Sequence, residues 1–203
     1  MTDRVIAPII VAALLIAPGW AQERESGPSA LAPGLEAAPT EKRTRAESLD
    51  ALFARLADPE ADDWKRVQNR INTLWNRSGS PSMDLLARRA DKAVGAEDYE
   101  TALVHLDDLV RLAPAFAEGW NKRATVRFLM GDYGASLEDI AQTLQREPRH
   151  FGALSGLAVI LDRVGDPEGA LEAYRRAIRI HPHLPGAAEG ILKLERDVEG
   201  ERL

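Results

Sequence analysis

The sequence predicts an all-α chain built as a stack of helical hairpins. From Leu49 onward apolar residues recur at three- and four-residue spacing, and no stretch alternates apolar and polar as a half-buried strand requires. In addition, Pro114, Pro148 and Pro182 stand 34 residues apart, each after a segment of the same pattern, LVRLAP, LQREP and IRIHP. The 203 residues are 45% hydrophobic and 29% charged, a globular composition, with a formal net charge of -6. With no cysteine in the chain, disulfides, thiolate nucleophiles and thiolate-held zinc are excluded. The acidic balance argues against nucleic acid, whose phosphates call for clustered Lys and Arg.

Residues 1–21 are expected to be an export signal. The apolar run from Val5 to Ala17 has the length of a signal core and falls short of the ~20 residues a spanning helix needs. Pro18 and Gly19 break it, and Gly19 and Ala21 supply the small residues wanted before a cut between Ala21 and Gln22. Cleavage would leave a periplasmic protein; without it, the segment would anchor the chain in the inner membrane, facing the periplasm. Residues 22–45 carry Pro28, Pro33 and Pro39 with no sustained period and are expected to be an extended, disordered linker.

Residues 46–82 predict a pair of helices. Leu49, Leu52, Phe53 and Leu56 share one face, Trp64, Val67, Ile71, Leu74 and Trp75 another, and Asp58-Pro59 separates them. Ser78-Gly79-Ser80-Pro81 ends the second helix. Residues 83–184 then divide into three blocks of 34: Met83 to Phe116, Ala117 to His150 and Phe151 to Leu184. Place eight is Ala90, Ala124 and Ala158; place twenty is Ala102, Ser136 and Ala170. Two helices cross closely only where both carry small side chains, and a proline ends the second helix of each hairpin. Residues 185–203 predict a terminal capping helix with Ile191, Leu192 and Leu194 facing inward. The four tryptophan and tyrosine rings at helical spacing, Trp64, Trp75, Trp120 and Tyr174, are expected in the core.

On these residues the stretch from Met83 to Leu184 resembles the tetratricopeptide repeat family, whose unit is a 34-residue helical hairpin. Trp120 at place four, Leu106, Ile140 and Tyr174 at place twenty-four and Ala177 at place twenty-seven carry the resemblance further. Place eleven, usually tyrosine in the family, is Ala93, Arg127 and Leu161, which leaves Arg127 either a snorkelling stem or a surface contact. Residues 46–82 would be a degenerate or amino-terminal capping unit, since solenoid ends need caps. The whole chain looks like exported bacterial proteins of this family.

The resemblance implies a non-enzymatic scaffold that binds a protein or an extended peptide in the concave groove lined by the first helix of each hairpin. Carrying over groove places two, five, nine and twelve gives Asp84, Ala87, Asp91 and Val94, then Glu118, Asn121, Thr125 and Phe128, then Gly152, Ser155, Val159 and Asp162. Ala87 and Asp91 stand where relatives that grip a terminal carboxylate would carry lysine and asparagine, so that clamp is not expected. An acidic groove would favour a basic or neutral peptide, with Asn121 and Thr125 on its backbone and Phe128 as apolar anchor. The competing readings are a structural or self-associating envelope spacer, and a metal-dependent accessory protein using His150, His181 and His183 at the block ends. The histidine spacing matches no helix-borne metal motif, and no cofactor fingerprint occurs. The carboxylates all fit helix surfaces or turns, giving acid–base chemistry no support. The acidic second helix of block one (Glu97, Asp98, Glu100, Asp107, Asp108) and the basic third block (Arg163, Arg175, Arg176, Arg179) are expected to be solvated faces.

Overall fold

The structure is a computed structural model that describes the backbone of residues 39–201 and side chains of 48–199. The expected signal and the stretch 22–38 lie outside the described residues. Among the described residues there are nine α-helices and no strand: α1 (Pro39–Leu56), α2 (Trp64–Trp75), α3 (Pro81–Gly95), α4 (Tyr99–Leu112), α5 (Ala117–Leu129), α6 (Tyr133–Arg146), α7 (Phe151–Arg163), α8 (Pro167–Ile180) and α9 (Ala187–Glu201). No described helix is long and apolar enough to cross a membrane. Helix α1 starts at Pro39, so residues 39–45, expected in the linker, are helical; proline at a helix start costs no hydrogen bond.

Three hairpins, α3–α4, α5–α6 and α7–α8, realise the three blocks. The helix-breaking Pro81 opens the first rather than closing the element before it. Each second helix begins with the same cap: Asp98, Asp132 and Asp166 accept the backbone N–H of Thr101, Ala135 and Gly169. The residue before each cap turns the chain through the left-handed region. Gly131 and Gly165 do this at φ 80 and 85°, whereas block one uses Glu97 at 58° and carries the strain a side chain brings there. Ala90, Ala102, Ala124, Ser136, Ala158 and Ala170 are all buried, and the Ser136 hydroxyl donates to the Ala124 carbonyl at 2.8 Å across its hairpin.

Side chains expected at the surface close gaps in the second hairpin. Asp139 is buried, contrary to the expectation that every carboxylate lies on a helix surface or turn. Arg123 grips it with two nitrogens at 2.7 and 2.9 Å, and Arg127 reaches it at 3.0 Å. Arg127 thus answers the choice at place eleven: its guanidinium bonds inward, to Asp139 and to the Ala135 carbonyl. A buried carboxylate between two arginines is tolerated because its lone pairs are filled. Trp120 is not core. It is half-buried between Arg123 and Arg146, whose guanidiniums lie 5.0 and 4.8 Å from its ring, and its Nε1 donates to the Pro114 carbonyl.

The α1–α2 pair does not continue the stack as an amino-terminal turn. Its apolar faces form one cluster with Phe151 at the start of α7 and with Ile180 and Leu184 around the end of α8. Trp75 stacks on His150 with centroids 4.1 Å apart, and Trp64 stacks on His183 at 5.3 Å. Asp50 takes the Arg149 guanidinium at 2.7 Å. At the other end α9 lies on α8 through Ala187 and Leu194, with Ile191 half-buried; Leu192, expected inward, is 62% exposed, on a side of α9 that α8 does not cover.

His181 is fully buried, its Nε2 2.9 Å from Gln68 Oε1 and its Nδ1 without a partner, the arrangement of a neutral ring. Burial, helped by His183, pushes its pKa from 6.5 down to about 4. A folded pKa below the unfolded one means that stability is complete above pH 6.5 and falls as the pH drops towards 4, by up to about 3 kcal/mol in total. Urea unfolding of the wild type and His181→Gln between these pH values checks this: the variant's stability should depend less on pH. Equal slopes would show that His181 does not titrate this way.

Candidate functional site

The first helices of the hairpins, α3, α5 and α7, carry the face expected to be concave: Lys122 of α5 reaches Asp91 of α3, and α5 and α7 share one recess. The nine expected site residues divide there into three groups. Asn121, Thr125, Phe128, Ser155 and Val159 come together around one recess of about 210 Å³ between α5 and α7. Its floor is Ala124, Ile140 and Ile160, and Gly152 and Gly156 leave one wall without side chains. Phe128 is held from behind by Tyr133, 5.7 Å between centroids, and by the Arg163 guanidinium 5.2 Å from its ring. Thr125 spends its hydroxyl proton on the Asn121 carbonyl one turn back. The Asn121 amide points to Glu118 at 3.4 Å, a weak contact that leaves it able to turn to a ligand.

Asp84 and Asp91 form a second group, on α3. They line a separate cleft of about 610 Å³ whose opposite wall is α2 and the turn that follows it. The sequence showed no sign of this wall, because nothing in the period of α2 says which element it faces.

Glu118 and Asp162 belong to neither cavity. Glu118 is buried, with its carboxylate 2.9 Å from His150 Nε2. His150 Nδ1 meanwhile accepts the Ala153 N–H and caps α7, so Nε2 carries the proton and donates to Glu118. With one face on Trp75 and both nitrogens engaged, His150 is a packing residue here. His181 and His183 lie against Trp64 in the same interface.

Charge is distributed differently from the acidic groove expected. Every acid carried over to the concave face already has a partner. Asp84 accepts from the Ser78 N–H at 2.8 Å and hydroxyl at 2.6 Å, and Asp91 takes the Lys122 ammonium at 2.8 Å. Asp162 takes that of Lys193 at 2.9 Å, and this hydrogen bond, with that to Asp197, holds the lysine pKa above its ordinary value. Lysines thus neutralise Asp91 and Asp162, whereas Asp84 and Glu118, held by the neutral Ser78 and the neutral His150 ring, keep their charge, so the face is less acidic than its four carboxylates suggest.

Comparison with known proteins agrees with this geometry. A family model described as tetratricopeptide repeat matches residues 122–185. A TPR repeat-containing protein of Rhizobium etli is 41% identical over 157 residues, 77% of this chain and 77% of that protein. Among solved structures, the Sgt2 TPR domain from Aspergillus fumigatus matches with a TM-score of 0.57 at 22% identity, over 61% of this chain and 83% of that one. The Yersinia enterocolitica type III secretion chaperone SycD, solved with a peptide of the translocator YopD, matches with a TM-score of 0.55 at 14% identity, over 58% and 95%. The two structures speak for the fold, and the Rhizobium relative for descent. The three hairpins, their small crossing residues and that relative together place the chain in the tetratricopeptide repeat family.

Proposed function

We propose that the chain is a non-catalytic scaffold that binds a protein through an extended peptide segment laid along its concave face. The observation that carries this reading is the recess between α5 and α7. It joins an aromatic ring and a valine with an amide and a hydroxyl, on rigid helices, with glycine where a ligand backbone would pass. A cavity of about 210 Å³ is the size for one apolar side chain of a peptide, with Asn121 placed to bond the peptide backbone. SycD, of the same fold, is a precedent for a peptide ligand.

Gly156→Leu separates binding from folding. A Cβ on Gly156 would sit 3.8 Å from Ile140 Cδ1, an ordinary contact, so a side chain can start there without shifting the backbone, and a leucine is chosen to fill the recess that Gly156 lines. Leucine favours helix over glycine by roughly 0.8 kcal/mol, so the melting temperature should hold or rise. Peptides selected from a random library on the purified wild type should bind the variant at least about tenfold more weakly, as expected for a blocked anchor pocket. Unchanged binding by Gly156→Leu would move the site away from the recess.

We further propose that the protein works in the periplasm. The apolar run Val5 to Ala17, its break at Pro18-Gly19 and the small residues Gly19 and Ala21 support this. The mass of the protein recovered from a cell's envelope and periplasmic fractions should correspond to an amino terminus at Gln22; full-length chain in the cytosol would overturn it.

A further inference from the structure

The cleft between α2 and α3 lies apart from the recess and has its own chemistry. Its polar groups sort by whether they already have a partner. Asp84 is held by Ser78 and Asp91 by Lys122, as above, and the Asn76 amide donates to the Asn72 carbonyl at 2.9 Å. Four groups lining the cleft make no side-chain hydrogen bond or ion pair among the described residues: the guanidiniums of Arg77 and Arg88 and the amides of Asn69 and Asn72. The unfilled capacity of this cavity is two guanidiniums and two amides against one carboxylate, Asp84, whose partner is neutral, so it leans cationic and is rich in donors, in a protein of net charge -6.

Local folding does not explain these residues. Asparagine is a poor helix former because its amide competes with the backbone, and an exposed helix face gains more from Glu, Lys or Gln. Yet Asn69 and Asn72 stand within the 12 residues of α2 on the side away from its core residues Val67, Ile71 and Leu74, and face the cleft. Arg77 and Arg88 approach the same space from opposite walls, and neither is ion-paired with a carboxylate among the described residues.

We propose that this cleft binds an acidic, extended segment of the partner protein. Its Asp or Glu side chains sit on Arg77 and Arg88, and its peptide groups bond Asn69 and Asn72. A guanidinium offers a carboxylate two parallel hydrogen bonds, and an asparagine amide both donates to and accepts from a peptide group. The cavity of about 610 Å³ is in the range of specific ligand sites and holds a few residues of extended chain. A short acidic segment brings only a few charges, close to the guanidiniums, whereas a nucleic acid extends a line of phosphates over the negative surface of the whole protein. The inference rests on the concave side being a peptide-binding face and adds the sign of the partner's charge. It reverses the preference for basic ligands that the groove's formal composition suggested.

The test uses the purified protein and three fluorescein-labelled peptides alike except for their charged positions, which carry Glu, Gln or Lys. Fluorescence anisotropy should show the Glu peptide binding more tightly than the other two and weakening as salt is added. Arg77→Gln with Arg88→Gln should weaken it at least about tenfold, the loss of two charge-assisted contacts, without changing the melting temperature. Both arginines are exposed, so the variant is expected to fold. A preference for the Gln or Lys peptide, or an undiminished grip on the Glu peptide by the double variant, would overturn the assignment. If the Glu peptide fails to bind while library-selected peptides still bind and are lost in Gly156→Leu, the cleft is ruled out and the recess stands. If no peptide binds at either place, both readings fall.

Discussion

The close crossing of each hairpin is the constraint on which the rest of the structure depends. Side chains no larger than serine stand at the crossing in all three hairpins, so the helix backbones approach and the next hairpin stacks on the pair at a fixed angle. Three such crossings in succession place α3, α5 and α7 beside one another, and a concave face follows from that repetition alone. A leucine at Ala102 or Ala170 would force one pair apart and tilt every later helix. Where the family's aromatic at place eleven is replaced by Arg127, a buried ion cluster with Arg123 and Asp139 fills the same interior. Its members must be kept together, because one buried charge left alone costs several kcal/mol.

The loops that end the repeats serve a second purpose. His150, His181 and His183 flank the prolines that stop α6 and α8, and all three receive rings from α1–α2. Flat aromatic and imidazole surfaces stack with little entropy loss, which allows a helical pair with no repeat of its own to dock on a solenoid edge. That docking gives α3 a facing wall, and so creates the cleft. Two sites with different chemistry therefore arise from two different assembly rules: an apolar recess from the stacking of repeats, and a donor-rich cleft from the docked pair.

Much of this was legible in the sequence, and the limit of legibility has a physical origin. A period of 34 residues with small side chains at places eight and twenty specifies hairpin, crossing and stacking, because all of these are contacts between near neighbours in the chain. Five of the nine expected site residues, Asn121, Thr125, Phe128, Ser155 and Val159, meet in one recess for the same reason. Trp64 and Trp75 were legible as apolar-face residues, but a stripe states that a face is buried and not what buries it; their partners lie far along the chain at His183 and His150. Leu192 was misjudged because the helical period places it near Ile191 and Leu194 but does not show how wide a stripe of α9 is covered by α8. Helix α1 reaches back to Pro39 because proline reads as a breaker only away from a helix start.

Charge was the least legible property of the face. Counting Asp84, Asp91, Glu118 and Asp162 makes it acidic, but Asp91 and Asp162 are neutralised by Lys122 and Lys193, while Asp84 and Glu118 are hydrogen-bonded only, by Ser78 and the neutral His150. A carboxylate paired with an ammonium does little to attract or repel a ligand at contact range, since its field is cancelled by an opposite charge a few ångströms away. What a ligand meets is the remainder after internal pairing. In the cleft between α2 and α3 that remainder is two guanidiniums and two amides beside one carboxylate, Asp84, whose partner is neutral. A protein can thus be acidic as a whole, which keeps it soluble and discourages polyanions at long range, and still offer a basic surface where a partner docks. The two requirements act at different distances, so one chain satisfies both.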